Sequence, residues 1–306
     1  MTAFEPDTML VHAVVPSPNH GERAGNRLPD MILLHYTGMP DAAKALERLC
    51  TPDSEVSCHY FVTDDGRIIQ CVPEARRAWH AGEGSWAGET DINSCSIGIE
   101  IANPGHDHGY PDFPKRQIAA VAALCRAIMR HRYIRPERVL AHSDIAPSRK
   151  RDPGEKFPWM ILHRAGIGQW AKPAPIVPGP SFEFGDSGDA IKSFQTVLRD
   201  YGYGIQADGY FDQNTRDVVA AFQRHFRPAL IDGKLDSSTL LTLRSLIEAS
   251  RFGRASHVNQ PADPSQEYPS PEDPSLEDPS QDYPSQEDPR EEDPSQAADT
   301  QTEPQT

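Results

Sequence analysis

Prolines divide this chain into parts that can fold and a part that cannot. From Pro264 to Pro294 a proline recurs every five residues in units that resemble "DPSQE". Proline at this frequency blocks helix and sheet, and the carboxylates around it repel one another, so we expect no packed core there. A second proline-rich stretch, "KPAPIVPGPS" at 172–181, is typical of a stiff linker. The sequence therefore predicts a first domain at 1–172, a linker at 173–183, a second domain at 184–249 and a disordered acidic tail at 250–306.

The tail also carries most of the net charge. Residues 261–306 contain 14 acidic residues and one arginine, whereas residues 1–260 contain 31 acidic and 29 basic residues. The part that can fold is close to neutral and has no basic cluster, so we expect no nucleic-acid partner. No run is apolar enough for a transmembrane segment, and we expect no secretory signal, because the first residues have neither a basic n-region nor an apolar h-region. Together with five cysteines that lack disulfide-like spacing, this predicts a cytoplasmic protein, with the cell envelope, reached by an unrecognised route, as the alternative.

The first domain mixes strand-like and helix-like stretches. "MILLHYTG" (31–38) and "CSIGIEIAN" (95–103) are apolar runs, and "SCHYFVTDDGRIIQCV" (57–72) is typical of two strands joined by an Asp-Asp-Gly turn. Residues 115–132 place apolar side chains at the spacing of a buried helix face. The pattern predicts an α/β domain with a mixed central β-sheet flanked by helices.

The second domain has three helical stretches, at 189–200, 213–226 and 236–249. Asp212 and Asp236 stand where N-caps would satisfy the first backbone N–H groups of the second and third helices. The sequence therefore predicts a small three-helix domain.

Three residues of the first domain meet the requirements of a catalytic zinc site. His35 lies near the end of a predicted strand, and His142 precedes Asp152 by ten residues in the loop "LAHSDIAPSRKRDPGEKFPW". Such a site needs three protein ligands and an open fourth position. Taken alone, His35 favours the interpretation as a hydrogen-bonded core residue, and the second cluster changes that interpretation.

A hydrolytic site also needs a base and a cation. Glu100 is a candidate base, because its carboxylate lies in the apolar run "SIGIEIAN" and an acid there is costly unless it has partners or a function. Lys150 is the candidate cation for the developing oxyanion.

Five motifs occur here in the order in which they occur in a known enzyme family. They are "LLHYTG", "SCHYFVTDDGRIIQCVPE", "AWHAG", "SIGIEIAN" and "AHSDIAPSRKRDPGEKFPW". In this respect the chain resembles, over roughly residues 10–172, the zinc-dependent N-acetylmuramoyl-L-alanine amidases, which are related in fold to peptidoglycan-recognition proteins. The resemblance implies one catalytic zinc ion per chain and cleavage of the amide between the lactyl group of N-acetylmuramic acid and L-alanine of the stem peptide.

The resemblance also implies residue roles. His35, His142 and Asp152 match the family's zinc ligands, Glu100 its proposed general base and Lys150 its proposed transition-state stabiliser. His80, in "AWHAG", and Arg149 are candidates for substrate binding; the alternatives are that His80 orders a glycine-rich turn and that Arg149 is merely solvated. Asp144 is interpreted as an acid that organises the loop, because the family pattern puts the ligand at Asp152.

The second domain resembles the three-helix peptidoglycan-binding repeat that is often attached to cell-wall hydrolases. The shared features are "GDSGDAIKSFQTVL", "DGYFDQNTRDVVAAFQ" and "DGKLDSSTLLTL", over about 184–247. The implied partner is peptidoglycan; a different wall polymer or a purely structural appendage are the alternatives.

Two other functions stay open at this point. One is a non-catalytic peptidoglycan-recognition protein, against which the complete set of predicted ligands argues. The other is a zinc peptidase that cuts within the stem peptide. Intact wall and soluble anhydro-muropeptides are both possible substrates, and the sequence gives no prediction of the oligomeric state.

Overall fold

The structure, a computed structural model, describes residues 4–257, with the side chains of residues 250–257 excepted. Most of the predicted tail, from residue 258 onward, lies outside the described residues. Within the described part of the chain, no helix combines the length and the apolar character that crossing a bilayer requires.

Eight short strands form two sheets in the described residues. The strands are β1 (Ala13–Val14), β2 (His20–Gly21), β3 (Met31–Tyr36), β4 (Tyr60–Val62), β5 (Ile68–Gln70), β6 (Arg77–Ala78), β7 (Ser96–Ile101) and β8 (Val139–Ala141). The central sheet has the order β1-β5-β4-β7-β3-β8, and β2 pairs with β6 separately. All neighbours in the central sheet are parallel except β4 and β5, which form the predicted hairpin. The predicted mixed sheet is confirmed.

Helices flank this sheet and form the second domain. The helices are α1 (Ala42–Cys50), α2 (Ile92–Cys95), α3 (Lys115–Arg132), α4 (His142–Ile145), α5 (Trp159–Arg164), α6 (Asp189–Tyr201), α7 (Gln213–Phe226) and α8 (Ser237–His257). Helix α3 has the predicted bounds and buries its apolar face with the isoleucines of β7. The carboxylates of Asp212 and Asp236 accept the backbone N–H groups of Thr215 and Thr239, as expected of N-caps. Helix α8 continues eight residues beyond its predicted end.

The register of the central strands brings the predicted site together. Strands β7, β3 and β8 are adjacent and parallel, so their carboxyl ends meet at one edge of the sheet. His35 on β3 lies directly across from Glu100 on β7, and His142 immediately follows β8. Since His35 and Glu100 are the penultimate residues of their strands and His142 follows β8, the fold itself places them side by side.

The two predicted domains share one hydrophobic core. Trp86 and Ile145 of the first domain belong to the same buried cluster as Phe194, Tyr203 and Phe226 of the second. The linker runs over the surface but is held near both of its ends. The backbone N–H and C=O of residue 174 bond to two hydroxyls of α8, and the backbone of Phe182 pairs with that of Leu235. The three-helix domain therefore packs directly on the first domain, which the sequence did not predict.

Candidate metal centre and active site

Three buried side chains converge at the carboxyl edge of the sheet. The Nδ1 atoms of His35 and His142 lie 2.8 Å apart, and the Asp152 Oδ2 atom lies 3.1 Å from the first and 2.9 Å from the second. The three residues are almost inaccessible to solvent, with 1–6% of their surface exposed. The loop that carries Asp152 is tied to α4, because the Ser143 N–H donates to the Asp152 backbone oxygen. We call these three residues the ligand set.

The hydrogen bonds of His142 determine which ring nitrogen faces the ligand set. Its Nε2 atom lies 2.9 Å from the backbone oxygen of Ala81. A carbonyl oxygen can only accept, so Nε2 carries the proton and donates. In the neutral imidazole Nδ1 therefore presents a lone pair to the other two ligand atoms.

A chain of hydrogen bonds determines the same for His35. The Ser96 hydroxyl donates to the Ile92 backbone oxygen at 2.6 Å, so its oxygen accepts from His80 Nε2 at 3.3 Å. His80 Nδ1 is then an acceptor, and His35 Nε2 donates to it at 3.0 Å. The Nδ1 atom of His35 consequently presents a lone pair to the ligand set. Partners that orient a ligand histidine in this way are typical of metal sites.

This donor set fits a metal ion. Two imidazole lone pairs and a carboxylate oxygen face one another within 4.8 Å, and without a cation they repel. Ligand atoms about 2.0–2.1 Å from a tetrahedral ion lie about 3.3 Å apart, so the observed set has only to spread by a few tenths of an ångström. The three residues could therefore hold a metal ion.

Glu100 lies beside the ligand set in an environment that disfavours its charge. One carboxylate oxygen is buried and has no hydrogen-bond partner among the described residues. Burial, reinforced by the negative charge of Asp152, raises the pKa of Glu100 well above its usual value, while Lys150 acts in the opposite direction. A buried polar group without a partner is uncommon in a stable fold and is typical of functional sites.

Lys150 supplies a positive charge at the same place. Its backbone N–H donates to the Ala146 oxygen, in the turn that follows α4. No hydrogen bond or ion pair to its ammonium group occurs among the described residues, although its charge acts on both Glu100 and His35. A half-buried ammonium without a protein partner is available to a substrate oxygen.

Comparisons with known proteins agree with this geometry. A family model described as N-acetylmuramoyl-L-alanine amidase matches residues 25–155, and one described as a putative peptidoglycan binding domain matches residues 187–243. The N-acetylmuramoyl-L-alanine amidase AmiD of Escherichia coli (strain K12) is 37% identical over 240 residues, which cover 71% of this chain and 82% of that protein. The chain belongs to the N-acetylmuramoyl-L-alanine amidase family.

This amidase resembles two solved structures along most of its length. One is E. coli AmiD in complex with the substrate anhydro-N-acetylmuramic acid-L-Ala-D-γ-Glu-L-Lys, at 35% identity and a TM-score of 0.63, covering 74% of this chain and 91% of that one. The other is AmpDh3 from Pseudomonas aeruginosa in complex with anhydromuramic pentapeptide, at 30% identity and a TM-score of 0.61, covering 82% and 99%. The predicted family and enzyme class are thus confirmed.

His80 and Arg149 have other contacts in the amidase than those predicted. Both ring nitrogens of His80 have protein partners, and its ring packs so closely on Gly98 that a Cβ there would lie 2.4 Å from it. Arg149 donates from Nη2 to the Ala81 oxygen at 2.9 Å and also to the Glu83 oxygen. His80 thus orients His35, and Arg149 holds the loop that orients His142; a role of either in substrate binding stays a prediction without a supporting contact.

Asp144 organises the loop, as the sequence predicts, but with partners that the sequence did not indicate. Its Oδ2 atom accepts the backbone N–H of Ala141 at 2.8 Å and contacts Nδ1 of His225 at 2.7 Å. Its Oδ1 atom accepts the hydroxyl of Tyr203 at 2.8 Å. The last two partners belong to the three-helix domain.

Proposed function

We propose that this amidase hydrolyses the amide between N-acetylmuramic acid and L-alanine in anhydro-muropeptides, with one zinc ion bound by His35, His142 and Asp152. The convergence of three lone pairs beside the unpartnered carboxyl group of Glu100 carries this proposal. Two imidazoles and one carboxylate with an open fourth position are a ligand combination of catalytic zinc sites. The substrates named for the relatives support the choice of an anhydro-muropeptide. The cytoplasmic location and the envelope alternative both stay predictions.

Each group of the site has a distinct part in the proposed reaction. A zinc ion at the ligand set supplies Lewis acidity, which lowers the pKa of water and polarises a carbonyl group. Glu100 accepts the proton of the attacking water and delivers it to the leaving nitrogen of L-alanine. Although burial favours the protonated carboxyl group, positive charge at the ligand set favours the carboxylate that a base requires.

Lys150 acts on the substrate carbonyl. As water adds to the carbonyl carbon, negative charge develops on its oxygen, and an ammonium group without a protein partner stabilises that charge. His80, Ser96 and the Ala81 backbone oxygen keep the ligand imidazoles in one tautomer throughout. In the neutral rings they keep the proton on Nε2, so Nδ1 retains the lone pair that a metal ion requires.

Product analysis tests the reaction. The purified chain is incubated with anhydro-muropeptide and, separately, with intact sacculi, before and after EDTA treatment and with zinc added back. We expect mass spectrometry to show a free peptide that begins with L-alanine, lost after EDTA and restored by zinc. Cleavage within the stem peptide would identify a zinc peptidase instead, and a zinc-bound chain that cleaves neither substrate would refute the proposal.

We also propose that the three-helix domain binds peptidoglycan. The family match over residues 187–243 supports this proposal. Co-sedimentation of the protein with sacculi tests whether it binds the polymer. The Glu100→Gln variant serves here, because it leaves the polymer uncleaved during the measurement. If this variant stays in the supernatant at every sacculus concentration, the domain has no affinity for the polymer.

A further inference from the structure

A buried polar cluster joins the three-helix domain to the residues around His142. It consists of Asp144 on α4, Tyr203 just after α6 and His225 on α7, and we call it the anchor cluster. Each of the three is no more than 3% exposed. The carboxylate of Asp144 accepts the tyrosine hydroxyl at 2.8 Å and the histidine Nδ1–H at 2.7 Å.

The anchor cluster fixes the backbone on both sides of a predicted metal ligand. Helix α4 has only four residues, and His142 and Asp144 both belong to it. The same Asp144 Oδ2 atom accepts the backbone N–H of Ala141, the residue before His142. A shift of Asp144 therefore moves the single turn that carries His142, and the bonds from Tyr203 and His225 oppose that shift.

The same helix of the second domain also holds the far end of the loop. Arg224 on α7 places its guanidinium Nε 3.7 Å from the carboxylate of Glu155, three residues after Asp152. The ring of His225 stacks on Trp159 with centroids 3.8 Å apart. Helix α7 therefore contacts both ends of the segment that carries His142 and Asp152, two of the three predicted ligands.

Domain attachment alone does not account for this arrangement. The apolar cluster that includes Trp86, Phe194 and Phe226 already joins the two domains. Replacing buried polar groups by apolar residues of similar volume is often neutral or stabilising. The carboxylate and its donors are therefore not needed to hold the domains together, and their effect is to fix an orientation. The element whose orientation they fix is α4, which carries Asp144.

We propose that the anchor cluster positions His142 for the metal ion, so that the three-helix domain is a structural part of the metal site. The inference rests on the proposed function, since it assumes that the ligand set binds zinc. Tyr203 and His225 are positioning residues in this scheme: neither touches the metal or the substrate, and each acts through Asp144.

The test measures the zinc dissociation constant of the full chain by competition with a chromophoric chelator. We expect His225→Ala to raise the dissociation constant about 10- to 100-fold, the usual effect of losing a partner that orients a ligand. His225→Asn keeps an N–H near the position of Nδ1 and should restore most of the affinity. Tyr203→Phe removes one hydroxyl and should raise the dissociation constant by a smaller factor.

A stability control separates positioning from a general loosening of the domain. Leu243 lies in the core of the same domain but on α8, which contributes nothing to the anchor cluster. Leu243→Ala should lower the melting temperature and leave zinc affinity unchanged. The visible spectrum of the cobalt-substituted protein gives a second reading, because an altered ligand geometry changes it whereas a lower melting temperature does not.

The possible outcomes are distinct. If His225→Ala and Tyr203→Phe bind zinc as tightly as the unchanged chain, with an unchanged cobalt spectrum, the inference is wrong. If His225→Ala does not fold, Tyr203→Phe decides, since it preserves the ring and the packing. If the unchanged chain itself binds no zinc, the proposed function fails and the positioning inference fails with it.

Discussion

Two buried aspartates eight residues apart in one segment have opposite surroundings. Asp144 faces the N–H of Ala141, the hydroxyl of Tyr203 and the Nδ1 of His225, all of which can donate to it. Asp152 faces the Nδ1 atoms of His35 and His142, whose ring protons are committed on the other side of each ring. Both contact histidine at about 3 Å, yet only the first is satisfied by the protein alone.

The difference shows how to distinguish a structural carboxylate from a metal ligand when both are buried beside histidine. The decisive observation is the partner of the far nitrogen of each imidazole. His142 donates from Nε2 to a carbonyl oxygen, so its near nitrogen must accept. His225 has no partner for its Nε2 among the described residues, so its near nitrogen is free to carry the proton that Asp144 accepts. One carboxylate needs a cation and the other does not.

Asp152→Asn should have the largest effect. An amide supplies no negative charge to the ligand set, so we expect the variant to retain no zinc after dialysis and its hydrolysis of anhydro-muropeptide to fall to background. Metal content by plasma mass spectrometry and product formation check this. Stoichiometric zinc in an active Asp152→Asn protein would contradict the ligand assignment.

Glu100→Gln should separate chemistry from metal binding. The amide cannot accept a proton, so we expect kcat to fall by about 100- to 10,000-fold. Zinc content should equal that of the unchanged chain, because the variant keeps all three ligands. A fall in activity that is matched by a fall in zinc content would show that Glu100 supports the metal site instead of acting as the base.

Lys150→Met should have a somewhat smaller effect on turnover. The loss of one preorganised charge at the oxyanion is expected to lower kcat by about 100- to 1000-fold with little change in KM. Lys150→Arg keeps the positive charge and is the matched control, with an intermediate rate. If both variants turn over as fast as the unchanged chain, the oxyanion is stabilised elsewhere.

Asp144→Asn should affect stability more than chemistry. The Ala141 N–H and the His225 Nδ1–H both reach Oδ2, where an amide oxygen accepts them without a negative charge, and an NH2 group at Oδ1 cannot accept the Tyr203 hydroxyl. Hydrogen bonds to a charged acceptor contribute about 1.5–3 kcal/mol. We expect the free energy of unfolding to fall by about that amount while zinc stays bound at saturating concentration. Urea titration of the zinc-bound protein measures it. An Asp144→Asn protein that loses zinc completely would remove the distinction between the two aspartates.

The contrast also marks how far the sequence could predict the site. His35 and Glu100 lie at the ends of strongly apolar strands, so their proximity followed from parallel pairing. His142 and Asp152 were identified because the motif around them resembles a known family. The partners of Asp144 lie 59 and 81 residues further along the chain, in a domain that composition predicted to be separate. Such long-range contacts leave no periodicity in the sequence.

Local signals explain the remaining successes and errors of the fold prediction. Helix α3 was predicted with its correct bounds because eighteen residues show a clear helical period. Strands β1, β2 and β6 have two residues each, too few to show alternation. Helix α8 extends past residue 249 because no proline interrupts the chain before Pro261. The roles of His80 and Arg149 depend on which backbone oxygens and side chains meet them in space.

His59 is a third buried group whose hydrogen bonds are all made within the protein. Its predicted effect, on the pH dependence of stability, is the smallest. Its Nδ1 atom accepts the Gly98 N–H at 2.9 Å, and its Nε2 atom donates to the Arg76 oxygen at 3.0 Å. Burial, with the nearby positive charge of Arg23, lowers the pKa of His59 to about 3. The folded state therefore holds the neutral form.

The sign of the pH dependence follows from this lowered pKa. Above the unfolded pKa of about 6.5 the His59 imidazole is neutral in both states, so the full stability is present there. Below that pH the imidazole binds a proton in the unfolded state but stays neutral in the folded state. We expect the free energy of unfolding to decrease as the pH falls from about 6.5 towards 3, by roughly 2 kcal/mol at pH 5. Urea titrations of the zinc-free chain at pH 7 and pH 5 measure it, with His59→Gln as the control that should show a correspondingly smaller decrease. An equal decrease in both proteins would assign the acid sensitivity to other groups.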